Sequence, residues 1–146
     1  MSKHIGYLIK NINDKIKSRA DADLKNHNLT LSQSRVIAYL SRNGGEATQK
    51  EIEVFLDIAH PTVVGIISRM ERNGYIICTA DAKNRRNKLV KLTGQAVSVR
   101  SDILQRIDQH EEQMLQGLSP EDVENLKRML TVIYQNVEQT AKGECV

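Results

Sequence analysis

Between Thr48 and Leu92 the hydrophobic period changes from that of helices to that of strands, and this order of short elements restricts the fold more than any other feature. Thr48 followed by Glu51 has the spacing of a capping box, and Ile52, Phe55 and Leu56 give a short apolar face, which predicts a helix of about two turns. Pro61 suits the first turn of another helix, where a missing N–H is no loss. Val63, Ile66, Ile67 and Met70 are its expected buried stripe, and Gly74 closes it. From Tyr75 to Ala80, and again over Leu89–Leu92, β-forming residues predict strands separated by the polar run Asp81–Lys88. Helix, short turn, helix and a hairpin with a basic tip together read as a helix-turn-helix followed by a wing.

The flanking segments are helical in pattern. Ile5, Leu8, Ile9, Ile12 and Ile16 form one stripe of a helix expected from Ile5 to Lys25. Thr30 and Gln33 have capping-box spacing, and Val36, Ile37 and Leu40 continue an apolar face until Gly44-Gly45. Thr93 can cap a fifth helix carrying Val97, Ile103, Leu104, Ile107, Met114 and Leu115, which Gly117 breaks, although Gly94 is a poor residue so early in a helix. After Ser119-Pro120-Glu121-Asp122, the residues Val123, Leu126, Leu130, Ile133 and Val137 alternate three and four apart, the spacing of a seam against other helices. Four Tyr, one Phe and no Trp leave an aliphatic core, which suits packed helices. The expected fold class is mainly α with a small β-wing: a winged helix-turn-helix flanked by N- and C-terminal helices.

A chain of 146 residues with 27% charged side chains fits one ordinary domain. It holds no run of about 18 apolar residues to span a bilayer, and Met1–Lys10 lacks the apolar stretch of a secretion signal, so the expected location is the cytoplasm without membrane attachment. Net charge is only +3, but it is unevenly placed. Residues 60–100 hold eight Lys/Arg against two Asp/Glu, whereas residues 101–146 hold four against nine. A polyanion would therefore meet the central segment.

In a helix-turn-helix the second helix turns its unburied face to the DNA major groove, and the buried stripe identifies that face as His60, Pro61, Thr62, Val64, Gly65, Ser68, Arg69 and Arg72. Gly65 costs roughly 1 kcal/mol of helix stability against Ala. Two accounts of it stand side by side: close approach of backbone to DNA, or space needed by a neighbouring helix. In the wing, Arg85 and Arg86 can enter a narrow minor groove, with Lys83 and Lys88 on phosphates and Asp81, Asn84 and Asn87 completing the tip. Two helix arginines or a basic loop alone would be ordinary solvated charge; their coupling in one motif points to double-stranded DNA as the partner.

The segments His60-Pro61-Thr62-Val63-Val64, Arg69-Met70-Glu71-Arg72-Asn73-Gly74-Tyr75-Ile76, Asp81 to Arg86 and Leu92-Thr93 follow in an order that resembles the MarR family of winged-helix regulators over nearly the whole chain. The resemblance implies a triangular homodimer whose terminal helices (residues 1–28 and 95–146) interlock while winged lobes (residues 29–94) read halves of a near-palindromic operator. It also implies an Asp81 that braces Arg86 in the wing; the expected role is that of a repressor, with an activator left open by the sequence. The chain departs from the family pattern at Glu53, where a small residue is common, at Asp57, where Gly is common, and at Asn84, often acidic in relatives.

The resemblance further implies a small aromatic effector in a cleft between the dimer helices and the winged domain, for which Tyr7, Tyr39 and His110 of the first, second and fifth helices are candidates; the competing and stronger reading is that these residues simply fill core or surface positions. Cys78, in a predicted strand, reads as packing, and Cys145 as an incidental terminal thiol. His4, His27, His60 and His110 are too scattered to suggest a metal site, and no cofactor is expected. Without a nucleophile motif, Gly-rich phosphate loop or paired acids, an enzyme is not expected. The rival reading is a winged-helix protein-interaction module whose basic wing takes an acidic protein.

Overall fold

The computed structural model describes residues 4–80, 83 and 87–143, with side chains to residue 141. The chain divides into two compact units, Met1–Leu104 and Gln105–Val146.

The first unit contains α1 (Ile5–Leu24), a 3-10 turn (Lys25–His27), α2 (Leu31–Arg42), β1 (Glu46–Thr48), α3 (Gln49–Leu56), α4 (His60–Arg72), β2 (Ile76–Ala80), β3 (Lys88–Leu92) and the beginning of α5 (Gly94–Met114). Its core is aliphatic: Val36, Ile37 and Leu40 of α2, Ile52 of α3, Val63, Ile66, Ile67 and Met70 of α4, and Ile76 and Val90 of the sheet are all buried. The whole stripe expected of α4 is therefore inside.

The local signals act where the sequence places them. Thr30 Oγ1 accepts from Gln33 N at 3.3 Å while Thr30 N donates to Gln33 Oε1 at 3.0 Å, a complete capping box that satisfies two N–H groups at the head of α2. Asp21 of α1 accepts from the next free amide, Leu31 N, at 2.8 Å. Thr93 Oγ1 accepts from Ala96 N at 3.3 Å and donates to Gly74 O, so α5 begins at Gly94 despite that residue's poor propensity. Gly74 has φ +84, a left-handed conformation that L side chains rarely adopt, which reserves the position for glycine.

The sheet differs from expectation. A two-stranded hairpin was predicted, and the structure has three antiparallel strands in the order β1-β3-β2. Glu46, Ala47 and Thr48 pair with Lys91, Val90 and Leu89. Three residues are too few for periodicity to register, and β1 is held by pairing with a strand some forty residues away.

In the second unit α5 ends at Met114, and Gly117 turns the chain with φ +90. Ser119 N donates to Asp122 Oδ2 at 3.0 Å and Asp122 N to Ser119 Oγ at 3.1 Å, a reciprocal cap that opens α6 (Pro120–Gly143). Among the described residues no helix is long and apolar enough to cross a membrane.

Candidate nucleic-acid interface

The turn between α3 and α4 aims the second helix. Asp57 caps α3 in the left-handed region, φ 53 and ψ 47, where its N–H reaches Glu53 O at 2.9 Å. Asp occupies this region more readily than most residues, which explains how the chain makes this turn without a glycine. The carbonyl of Ala59 then accepts from Thr62 N and Val63 N as α4 starts, with Pro61 in its first turn.

With Val63, Ile66, Ile67 and Met70 inside, α4 exposes His60, Pro61, Thr62, Val64, Ser68, Arg69 and Arg72, and Gly65 is half-buried among them. The expected recognition face is thus one continuous solvent-facing surface. A Cβ added at Gly65 would meet only Arg69 Nη2, at 3.8 Å. Among the described residues no neighbouring helix lies within 4 Å of that position, so the packing account of this glycine finds no support in them.

The wing strands pair from Ile76↔Leu92 to Ala80↔Lys88. Lys83 and Lys88 are exposed and Asn87 is half-buried. Asp81, Asn84, Arg85 and Arg86, including the expected Asp81–Arg86 brace, lie outside the described residues.

Between α3, α4 and the base of the wing is an open hollow of about 460 Å³ lined by Gln49, Lys50, Glu53, His60, Val64, Asn87 and Lys88. Inside it the carboxylate of Glu53 accepts from His60 Nδ1 and, at 3.4 Å, from Gln49 Nε2. Gln49, Lys50 and Glu53 were not anticipated as part of this surface. The pattern of α3 marked its buried face, and only the α3–α4 crossing brings the other face beside His60.

A second polar cluster lies behind the motif. Buried Tyr75 donates its hydroxyl to the carbonyl of His27, and His27 Nε2 contacts Asp102 Oδ2 at 2.8 Å, which joins the 3-10 turn to the start of β2 and to α5. Of the residues considered for an effector, Tyr7 is exposed, Tyr39 is half-buried and stacks on Phe55 with ring centroids 4.5 Å apart, and His110 is half-buried on α5. Cys78 lies on β2, and its thiol is pushed up to about 11 by burial, assisted by Glu71 and opposed by Lys88. At neutral pH it is a thiol rather than a thiolate, in keeping with a packing role. Cys145 lies outside the described residues.

Comparison with known proteins agrees with this arrangement. Residues 27–87 match the model of the MarR family. The chain is 30% identical over 135 residues to the uncharacterized HTH-type transcriptional regulator YwoH of Bacillus subtilis, covering 92% of this chain and 97% of that protein. The crystal structure of the transcription regulator MarR from Oenococcus oeni PSU-1 is similar with a TM-score of 0.79 and 31% identity, over 90% of this chain and 99% of that one. The S. aureus MepR–DNA complex is similar with a TM-score of 0.83 and 26% identity, over 92% and 96%. Taken with the winged helix-turn-helix architecture, these likenesses show that the chain belongs to the MarR family of transcription regulators and is not an enzyme.

Proposed function

We propose that the protein is a sequence-specific DNA-binding repressor that holds a near-palindromic operator as a homodimer. The observation that carries this reading is the exposed face of α4, where His60, Thr62, Val64, Ser68, Arg69 and Arg72 stand clear of the core beside a basic wing. Helix side chains read base edges in the major groove, and Lys83, Lys88, Arg85 and Arg86 supply phosphate and minor-groove contacts. That MepR is solved in complex with DNA supports the same use of the motif here.

Residues 29–94 act as the reading lobe, with residues 1–28 and 95–146 as dimerisation helices. Support comes from apolar side chains that the monomer leaves open: Ile5, Leu8, Ile9 and Ile12 on α1, and Met129, Leu130, Val132 and Val137 on α6. A two-fold dimer would set the two recognition helices about 34 Å apart, one DNA turn.

Selection of bound fragments from genomic DNA tests the reading. A preferred palindromic site, with affinity that falls as salt rises by a log–log slope of roughly −0.9 per phosphate contact, is the expected result. Binding without a preferred site at any salt concentration would return the chain to the rival class of protein-interaction modules.

Release from the operator by a small aromatic molecule is the regulatory part of the proposal, with Tyr7, Tyr39 and His110 as the side chains to vary. A panel of aromatic acids and phenols that left the melting temperature unchanged would remove it.

A further inference from the structure

We propose that Glu53 positions His60 as a base-reading side chain: by engaging Nδ1 it dedicates Nε2 to the major groove, where the ring takes a hydrogen bond from an exocyclic amino group, adenine N6 or cytosine N4. This rests on the DNA-binding reading above and deepens it.

The starting point is the cost of a carboxylate at this place. Glu53 stands on α3 in a hollow that also holds Lys50 and Lys88, on the side of the motif that faces DNA, and its side chain is only 22% exposed. An acid pressed against a phosphate backbone opposes binding, and a half-buried one also loses hydration, which partners on the carboxylate offset. One of its oxygens has two: Gln49 Nε2, itself a buried residue's amide, and His60 Nδ1 both meet Glu53 Oε1.

An ionised carboxylate only accepts, so the hydrogen in the contact with His60 belongs to Nδ1. This selects one tautomer of a singly protonated ring and leaves the lone pair on Nε2. The His60 side chain is 65% exposed at the first turn of α4, the end of a recognition helix that approaches base edges. In the major groove adenine and cytosine offer amino donors, whereas guanine and thymine offer acceptors that a lone pair repels. Without Glu53 the ring could place its hydrogen on either nitrogen and rotate, and this discrimination would be lost. Glu53 is thus a positioning residue acting through His60.

Sites are selected from a random DNA pool at pH 8.5, where an imidazole carries one proton, by the wild-type protein and by H60A, E53A and E53Q, with melting temperatures measured alongside. The wild type is expected to prefer adenine or cytosine by roughly tenfold at one position of each half-site, about the discrimination of a good base contact. H60A should lose that preference and no other. E53A should flatten the same position, with affinity for other positions and melting temperature retained. E53Q should keep it, because the glutamine carbonyl still accepts from Nδ1. An E53A or H60A profile that superimposes on wild type overturns the proposal, as does an E53A profile flattened at every position, which would mean a merely structural role. Failure of the wild type to select any site would instead remove the DNA-binding reading, and this proposal with it.

Discussion

Helices α1 and α4 carry apolar stripes of the same period and end in opposite circumstances. In α4 the stripe Val63, Ile66, Ile67 and Met70 is wholly buried against α2, α3 and β2. In α1 the stripe residues Ile5, Leu8, Ile9 and Ile12 are each at least 40% exposed, Ile16 is half-buried, and only Ala20 and Leu24 near the helix end are buried. α6 resembles α1, with Leu130 and Val137 open. A stripe states that a helix must cover one face. It does not state whether the cover comes from the same chain: α4 is covered by its own chain, whereas the same chain leaves the stripe of α1 open.

The comparison can be broken most sharply in α4. Met70→Ala, at a position with no exposure, should lower stability by about 2–5 kcal/mol at every protein concentration, read by chemical denaturation. Leu130→Glu on α6 should act in the opposite way. It should yield monomers in sedimentation, abolish the concentration dependence of the melting temperature and weaken operator binding by roughly a hundredfold, about 2.7 kcal/mol. A variant that remained dimeric would take α6 out of the proposed interface. Arg86→Ala should weaken operator binding by about 1–3 kcal/mol and leave dimerisation intact; unchanged affinity in a quantitative titration would shift that role to Arg85. Thr30→Ala should remove the cap of α2 at a cost of about 1 kcal/mol.

The smallest expected effect is chemical. With its thiol raised to about 11, Cys78 should alkylate slowly at neutral pH and faster as the pH approaches that value. Its folded-state value lies above the ordinary thiol value of 9.0, so the native state binds the proton more tightly than the unfolded chain does. Any contribution to stability is therefore present below pH 9.0 and declines between there and about 11. Rapid alkylation of the folded protein at pH 7 would contradict the burial that raises it.

Much of this was legible beforehand because the informative signals are local. Pro61, Gly74, Thr30 with Gln33, and Ser119 with Asp122 act within one turn of where they stand, so element order and helix ends could be read directly. The exposed face of α4 followed from its buried stripe. The third strand did not, because Glu46–Thr48 pairs only after β3 arrives. Nor did the place of Glu53: as a departure from the family pattern it read as a question of turn geometry, and the structure instead gives it a partner, His60, seven residues away across the α3–α4 turn.

By itself, then, the sequence determined the helices and the two wing strands, where the helices begin, which faces are apolar, and that the basic charge sits on the helix-turn-helix and wing. These depend on backbone sterics, caps and side-chain period over a few residues. Only the tertiary structure decided that the space beside Gly65 is open among the described residues, that Asp57 adopts the left-handed turn, that β1 joins the sheet, and that Gln49, Glu53 and His60 share one hollow. Each of these depends on where two elements cross, and the crossing is set by the joint packing of α2, α3, α4 and the sheet rather than by any one segment.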